Sequence, residues 1–369
     1  MKTCMLTGIL VAVWCFCSVY RCMPQPGRAA SDDFYSHFDD KPRGPTGLRI
    51  VFYNLENFFD TIDDSLVKDE EYTPGGARRW SAWRFRQKEL HLYKTLVALG
   101  GWEPPGIIGM CEVENRGVIE RLLRETPLRR YGYHVIHYES PDERGIDVAM
   151  LYRPGKFIPL SQEAIPILAP SGEPEGTRDI LRVTGTLFGG DTVHLFVNHW
   201  PSRYGGSLAS ALRRAAVAAV LRRHVDSLLL SNPKAYIVIM GDFNDDPSDE
   251  SITSFLGART DTAGFQAHDL VCLMSLMNHV PNAGTIKFRE TWSTFDQFIV
   301  SGSLLLKNEN PGLHCRQAAI FAAPFLLEDD QTYLGTRPYR TFSGPRYLGG
   351  FSDHLPVYLD LVHPSTTAH

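Results

Sequence analysis

Short apolar runs that end in a carboxylate, an amide or an imidazole recur along this chain, and that pattern limits what it can fold into. Residues 238–245 read Val-Ile-Met-Gly-Asp-Phe-Asn-Asp, and residues 351–357 read Phe-Ser-Asp-His-Leu-Pro-Val. An apolar run of this length, bounded by turn residues, reads as a buried strand. Polar groups at the ends of buried strands are where α/β sheets build ligand sites. Strands are expected at residues 48–52, 106–111, 147–152, 180–187, 192–198, 235–240, 297–301 and 355–361.

Three helical patterns alternate with them. Residues 81–99 place Leu90, Tyr93 and Val97 on one stripe, and Gly100-Gly101 closes the helix. Residues 118–124 are short. Residues 208–230 are rich in Ala and Leu, and Arg213, Arg214, Arg222 and Arg223 read as a solvated face. Residues 302–350 are rich in Pro and Gly and read as a long insert between two strands.

The N-terminus reads differently. Lys2 precedes an apolar run over residues 6–19, which is shorter than the ~18–20 residues of a membrane span. Residues 1–22 are therefore expected to be an export signal, and 23–46 a polar linker. Cys4, Cys15, Cys17 and Cys22 lie in the signal, so attachment to a membrane through a lipid is open, although no small-small-Cys box is present. The expected location is periplasmic, outer-membrane associated or extracellular. Beyond residue 22 only Cys111, Cys272 and Cys315 remain, too few and too scattered for a disulfide framework. Removing Lys2 and Arg21 takes the formal net charge from -5 to -7, which excludes an overall basic nucleic-acid binder. Contact with a polyanion must come from a local patch.

Polar residues cluster at strand ends: Asn54 and Glu56, then Glu112, then Asn198 and His199, then Asp242 and Asn244. Asp296 precedes the strand at 297, and Asp353 and His354 precede the last. One such residue alone reads as a turn or helix cap. The full set suits phosphodiester hydrolysis, which needs a metal to neutralise phosphate oxygens and an activated water in line with the leaving group. Carboxylates suit Mg²⁺ or Mn²⁺. Zinc fits less well, because no His/Cys cluster of the usual spacing occurs.

Taken in order, these motifs resemble the endonuclease/exonuclease/phosphatase superfamily, which includes deoxyribonuclease I, exonuclease III-type abasic endonucleases, neutral sphingomyelinases and inositol polyphosphate 5-phosphatases. The segments that carry the resemblance are Asn54-Leu55-Glu56, Glu112 with Glu114, Asn198-His199-Trp200-Pro201-Ser202-Arg203, Gly241-Asp242-Phe243-Asn244, Asp296 and Ser352-Asp353-His354. The resemblance implies one domain over residues 47–363: a four-layered α/β sandwich, two mixed sheets face to face with helices outside. It implies Mg²⁺ or Mn²⁺ held by Glu112, with Glu56 beside it and Asp353 completing the set. It implies that Asp296 aims His354, and that Asp242 polarises the attacking water with Asn244. Asn54 and His199 would hold phosphate oxygens. The general base stays open between His354 and Asp242.

There is one departure. Exonuclease III-type enzymes carry a phosphate-contacting tyrosine where this chain has residues 143–152, and Arg144 is expected to replace it with a charge-assisted contact. Arg203, on the basic lip after His199, is a further candidate phosphate contact. Residues 78–88 and 337–348 mix arginines with aromatics and are weighed as strand-gripping surfaces or as ordinary packing, with Trp83 in the core on the second view. The expected function is an exported monomeric nuclease. The alternatives are a phospholipid or phosphoinositide head-group hydrolase, and a non-catalytic binding module on the same fold.

Overall fold

The computed structural model describes residues 35–36, 47–169, 171–187, 190–203, 206–261, 263–275, 283–306 and 312–363. The segment read as an export signal lies outside the described residues. Among the described residues no helix is long and apolar enough to cross a membrane.

In chain order the first half comprises β1 (Tyr35–Ser36), β2 (Gly47–Phe58), α1 (Ala82–Gly100), β3 (Ile107–Val113), α2 (Arg116–Glu125), β4 (His134–His137), β5 (Asp147–Tyr152), β6 (Ile158–Ile165) and β7 (Ile180–Leu187). There follow β8 (Asp191–His199), α3 (Ser207–Ser231), β9 (Tyr236–Asp242), β10 (Ala258–Arg259), β11 (Leu270–Cys272), β12 (Ile286–Phe288), β13 (Thr291–Ser293) and β14 (Asp296–Ser301). The chain ends with β15 (His314–Phe321), β16 (Leu327–Asp329), β17 (Thr336–Pro338), β18 (Phe342–Ser343), β19 (Arg346–Tyr347) and β20 (Val357–Val362).

Two seven-stranded mixed sheets form, in the orders β1-β15-β20-β2-β3-β5-β4 and β10-β11-β14-β9-β8-β7-β6. Their centres repeat one plan. β2 runs parallel to β3 and antiparallel to β20, and β3 runs antiparallel to β5. Likewise β9 runs parallel to β8 and antiparallel to β14, and β8 runs antiparallel to β7. A parallel pair needs a crossover, and α1 and α3 supply the two. β2, β3 and β5 of one sheet meet β8 and β9 of the other across an apolar interior that includes Phe52, Leu195, Val238 and Met240, all fully buried. This is the expected four-layered α/β sandwich.

The plan sends one end of every central strand to one rim. The parallel strands β2, β3, β8 and β9 finish there. Their antiparallel neighbours β5, β7, β14 and β20 start there.

Several expectations about local structure change. The buried face of α1 is Phe85, Lys88, Glu89, Leu92, Thr95, Leu96 and Leu99, while Leu90, Tyr93 and Val97 are only half-buried. The apolar stripe misled because two charged residues on the buried face have partners: Lys88 bonds Thr341 and Phe351, and Glu89 pairs with Arg86 and Arg121. Trp80 fills the core and Trp83 is 63% exposed, the reverse of the packing view. Residues 302–350 are not simply an insert, since β15 lies inside the first sheet next to β20. His314–Phe321 shows no alternation in sequence, because a bulge shifts its register between Cys315 and Gln317. Arg214, read as solvated, is buried and ion-paired with Asp245 at 2.6 Å. Tyr35–Ser36, inside the stretch read as linker, adds a parallel edge strand to β15.

One buried ion pair ties β2 to β20. Arg49 meets both Asp360 oxygens at 2.7 Å and donates to the Leu99 carbonyl that ends α1. Breaking one side of a buried pair leaves an uncompensated charge and costs about 3–5 kcal/mol. Asp360→Ala is therefore expected to lower unfolding stability by about that much in urea titration. A loss under about 1 kcal/mol would show that the pair does not anchor the sheet.

Candidate active site

At the shared rim one carboxylate oxygen collects the cluster. Asp242 Oδ2, from the end of β9, accepts a hydrogen bond from Asn54 Nδ2 at 3.0 Å. The same oxygen lies 3.7 Å from His199 Nε2 and 3.8 Å from His354 Nε2. Asn54 Nδ2 also lies 3.4 Å from Glu112 Oε1, and His199 Nε2 is 3.9 Å from that oxygen. His354 Nδ1 meets Asp296 Oδ2 at 2.6 Å. Asn54 and Glu112 come from the first sheet and His354 from the turn that leads into its β20; His199, Asp242 and Asp296 come from the second. The group therefore lies between the two sheets.

The backbone is bent to allow this. Glu112 sits at a register break in β3 between Cys111 and Val113, with φ +58°. In a regular strand its side chain would alternate with those of Cys111 and Val113; the break frees it to face Asn54. Glu56, Asn57 and Asn244 also hold φ near +50°. Non-glycine residues in this region cost about 1–3 kcal/mol each and persist where the surroundings enforce them. Here Asn57 N–H donates to Glu112 Oε2 at 2.8 Å, and Asn244 N–H donates to Asp242 Oδ1 at 2.9 Å. The left-handed turns aim those amides at the acids.

Charge is divided unevenly between the two histidines. Burial pulls His354 down, but the carboxylates of Asp296 and Asp242 outweigh it and hold the imidazole well above its usual range. His199 goes the other way: burial, Arg178, Arg144 and His354 all keep it well below. Asp242 is pushed up by burial and by Asp296, against the pull of His354. At neutral pH this gives a charged His354 beside a neutral His199.

The donors suit a hard divalent ion. Asp242 and Asp296 are buried, whereas the Glu112 and Asp353 side chains are 15% and 27% exposed, as suits an ion that keeps several of its waters. Cys111, His199 and Asp242 lie close enough to suggest a softer ion. Burial and the charges of Asp242, Glu112 and Asp296 push the Cys111 thiol well up, which disfavours the thiolate such a site needs.

Two expected site residues have other partners. Glu56 is engaged with a loop: both carboxylate oxygens accept backbone N–H bonds, from Thr341 at 2.5 Å and Phe342 at 2.9 Å. Burial and Asp353 raise it, against Lys88. One lone pair of each oxygen thus holds a loop, and the charge of Asp353 acts on the same carboxylate, so the expected place of Glu56 beside the ion stays an expectation. Arg203 is held by Asp245, Asp246 and Asp249 at 2.7–3.5 Å, so its charge is neutralised and the expected phosphate contact is corrected. Asn244 turns its side-chain Nδ2 to the Trp200 carbonyl at 3.1 Å. Arg144 is half-exposed, 3.6 Å from Asp142, and its charge reaches His199.

Sequence reasoning missed three contributors. Arg178 is buried, bonds Asp142 and the Trp200 carbonyl, and acts on His199. It lies two residues before β7, where no strand-end motif marks it in the sequence. Lys88 bonds both Thr341 Oγ1 and the Phe351 carbonyl, 2.7 and 2.6 Å away. Ser352 Oγ donates to the Asn54 carbonyl at 2.7 Å and accepts from His354 N–H.

The profile of the Endonuclease/Exonuclease/phosphatase family matches residues 49–363. No curated protein matches the chain. Among solved structures, D. rerio TDP2 complexed with a single-strand DNA product superposes with TM-score 0.53 at 14% identity, covering 86% of this chain and 99% of that one. The human Nocturnin catalytic domain with bound sulfate gives 0.52 at 16%, covering 86% and 94%. Bacteroides thetaiotaomicron mannosyl-6-phosphatase gives 0.51 at 17%, covering 85% and 99%. At these identities the structures establish a common fold.

If Asp296 holds His354 in its charged form, Asp296→Asn is expected to lower the His354 titration midpoint in metal-free protein, followed by imidazole NMR. An unchanged midpoint would remove Asp296 from that role.

Proposed function

The chain belongs to the endonuclease/exonuclease/phosphatase family, and on that premise we propose that it is an exported, monomeric, Mg²⁺- or Mn²⁺-dependent phosphodiester hydrolase acting on nucleic acid. The convergence of Asn54, His199 and His354 on one oxygen of Asp242 carries this reading. Glu112 and Asp353 would hold the ion, which would supply Lewis-acid neutralisation of the phosphate's charge. The protein's own groups do the rest. His354, charged and aimed by Asp296, donates from Nε2 to a phosphate oxygen. Asp242, raised by burial, accepts the proton of the attacking water. His199, kept neutral, hydrogen-bonds a second phosphate oxygen. Arg144, half-exposed at the mouth, contacts the phosphate by charge.

A polymer substrate is supported by the face beside the Asp353 corner. Trp83 is 63% exposed and packs edge-on to Tyr347, and the Arg84 guanidinium lies 4.3 Å over the same ring. Exposed aromatics interleaved with arginines stack bases and follow a phosphate backbone. The TDP2 that shares this fold holds a single-strand DNA product. Export is supported by the apolar run over residues 6–19 after Lys2.

The test is turnover of bis-p-nitrophenyl phosphate by the full chain with Mg²⁺ or Mn²⁺, abolished by EDTA and restored by added ion. Absence of turnover with either ion would leave a binding module. His354→Ala is expected to lower kcat by about 10²–10⁴ with little change in metal affinity. Glu112→Gln is expected to raise the metal concentration needed for half-maximal activity. Wild-type behaviour in either variant removes that residue from its role. Side-by-side rates on DNA, RNA, sphingomyelin, phosphoinositides and sugar phosphates decide the substrate, and the fastest rate on any class but the first two overturns the nuclease reading.

A further inference from the structure

A second cluster of ligating side chains lies outside the catalytic group, where β4 hands over to β5. His137 ends β4, Asp147 starts β5, and Glu139 lies in the loop between them. Ligand atoms of the three all lie within 4.8 Å of one another. The His137 side chain is 2% exposed. Its Nε2 meets Asp147 Oδ2 at 3.1 Å, and the other Asp147 oxygen accepts from Ser140 N–H at 2.8 Å and from Ser140 Oγ. That network fixes the ring. Nδ1 then has no hydrogen-bond partner among the described residues and faces Glu139 Oε1 at 3.8 Å.

With Nε2 donating to Asp147, the Nδ1 lone pair points at a carboxylate. That contact is relieved either by a proton on Nδ1 or by a cation held between the two atoms. A histidine that binds a metal usually donates its other ring N–H to a carboxylate, which is the role Asp147 takes here. Metal–nitrogen and metal–oxygen bonds of about 2.0–2.2 Å put two ligand atoms on one ion at most about 4.3 Å apart. The 3.8 Å gap fits. No described lysine or arginine is paired with Glu139 or Asp147. The nearby cations are taken elsewhere, with Lys68 on Glu143 and Arg178 and Arg144 on Asp142. A third acid, Asp64, lies near enough to act on Glu139.

We propose that His137 Nδ1 and Glu139 bind a divalent transition-metal ion of the Zn²⁺ class, with Asp147 orienting the histidine. A nitrogen donor with carboxylates selects such an ion over Mg²⁺ or Ca²⁺, which prefer all-oxygen sites. The ion is structural. It fixes the hairpin whose loop carries Arg144, and it draws in the segment containing Asp64, already joined to that loop by the Lys68 N–H to Glu143 carbonyl bond.

The experiment uses full-length, metal-free protein carrying Glu112→Gln, so that the catalytic carboxylate is disabled and the result does not depend on turnover. Zn²⁺ binding is followed by equilibrium dialysis and calorimetry, and stability by thermal unfolding. One Zn²⁺ per chain is expected to depend on Glu139, with affinity at least tenfold weaker on adding Glu139→Gln and a rise in Tm with Zn²⁺ that the double variant loses. Glu139 is 70% exposed, so the substitution leaves the fold intact, as circular dichroism will verify. Unchanged Zn²⁺ affinity in the double variant overturns the proposal and leaves a plain histidine–carboxylate contact. Ca²⁺ or Mg²⁺ binding as tightly as Zn²⁺ at the Glu139-dependent site also overturns it, because His137 is then not a ligand.

Discussion

The hydrogen bond from Asn54 to Asp242 crosses from one sheet to the other, and the rest of the site depends on that crossing. Each sheet alone supplies half a constellation: Asn54 and Glu112, with His354 from the turn into β20, on one side, and His199, Asp242 and Asp296 on the other. Neither half pairs a charged imidazole with both of the carboxylates that hold it. Closure of the apolar interior brings them to hydrogen-bond distance, so formation of the site is coupled to formation of the core. The repeated plan of the two sheets explains why this can happen at one rim only. Two parallel pairs finish there, and at the opposite rim the same strands present their starts.

The loop that brings Asp353 and His354 to the rim is held from beneath. Glu56 accepts from the backbone at Thr341 and Phe342, and Lys88 grips Thr341 Oγ1 and the Phe351 carbonyl. The two side chains thus bind both ends of residues 341–351. Burial raises Glu56 and lowers Lys88, and each is opposed by the other's charge. A buried pair of this kind adds little net stability by itself, because desolvation offsets attraction. Its value lies in geometry: alongside the aromatic packing of Phe342, Tyr347 and Phe351, the loop is held by groups that are costly to leave unpaired.

Much of this was legible in the sequence, and the failures share a cause. Buried strands ending in Asn54, Glu112, His199 and Asp242 could be read because apolar runs and turn residues are local signals. The fold class followed from those motifs taken in order. β15 could not be read, because a bulge and the polar pair Arg316-Gln317 erase its alternation. Lys88 and Arg178 could not be read either. A charged residue on a buried face is recognisable only through its partner, and the partners lie 253 and 36 residues away in the chain. Glu56 shows the same limit from the other side. A carboxylate at a strand end fits a ligand and a loop clasp equally well, and only the loop's position shows the clasp. Arg203 was misjudged because the three acids that neutralise it lie on a turn some forty residues later.

The two histidines show why placement matters more than residue type. Both are buried, both lie under 4 Å from the same Asp242 oxygen, and both have the same intrinsic chemistry. Asp296 behind His354 outweighs burial and makes that ring a cation; burial, reinforced by Arg178 and Arg144, keeps His199 neutral. Two neutral rings would leave the carboxylates uncompensated before any ion or substrate arrives. Two charged rings would repel each other and compete with an ion for the Glu112 and Asp242 oxygens. One charged and one neutral ring leaves an acid and a neutral hydrogen-bonding group against a single acceptor. A phosphate entering there would meet both, and that asymmetry comes from an arginine just before β7, a hairpin arginine and an aspartate at the start of β14.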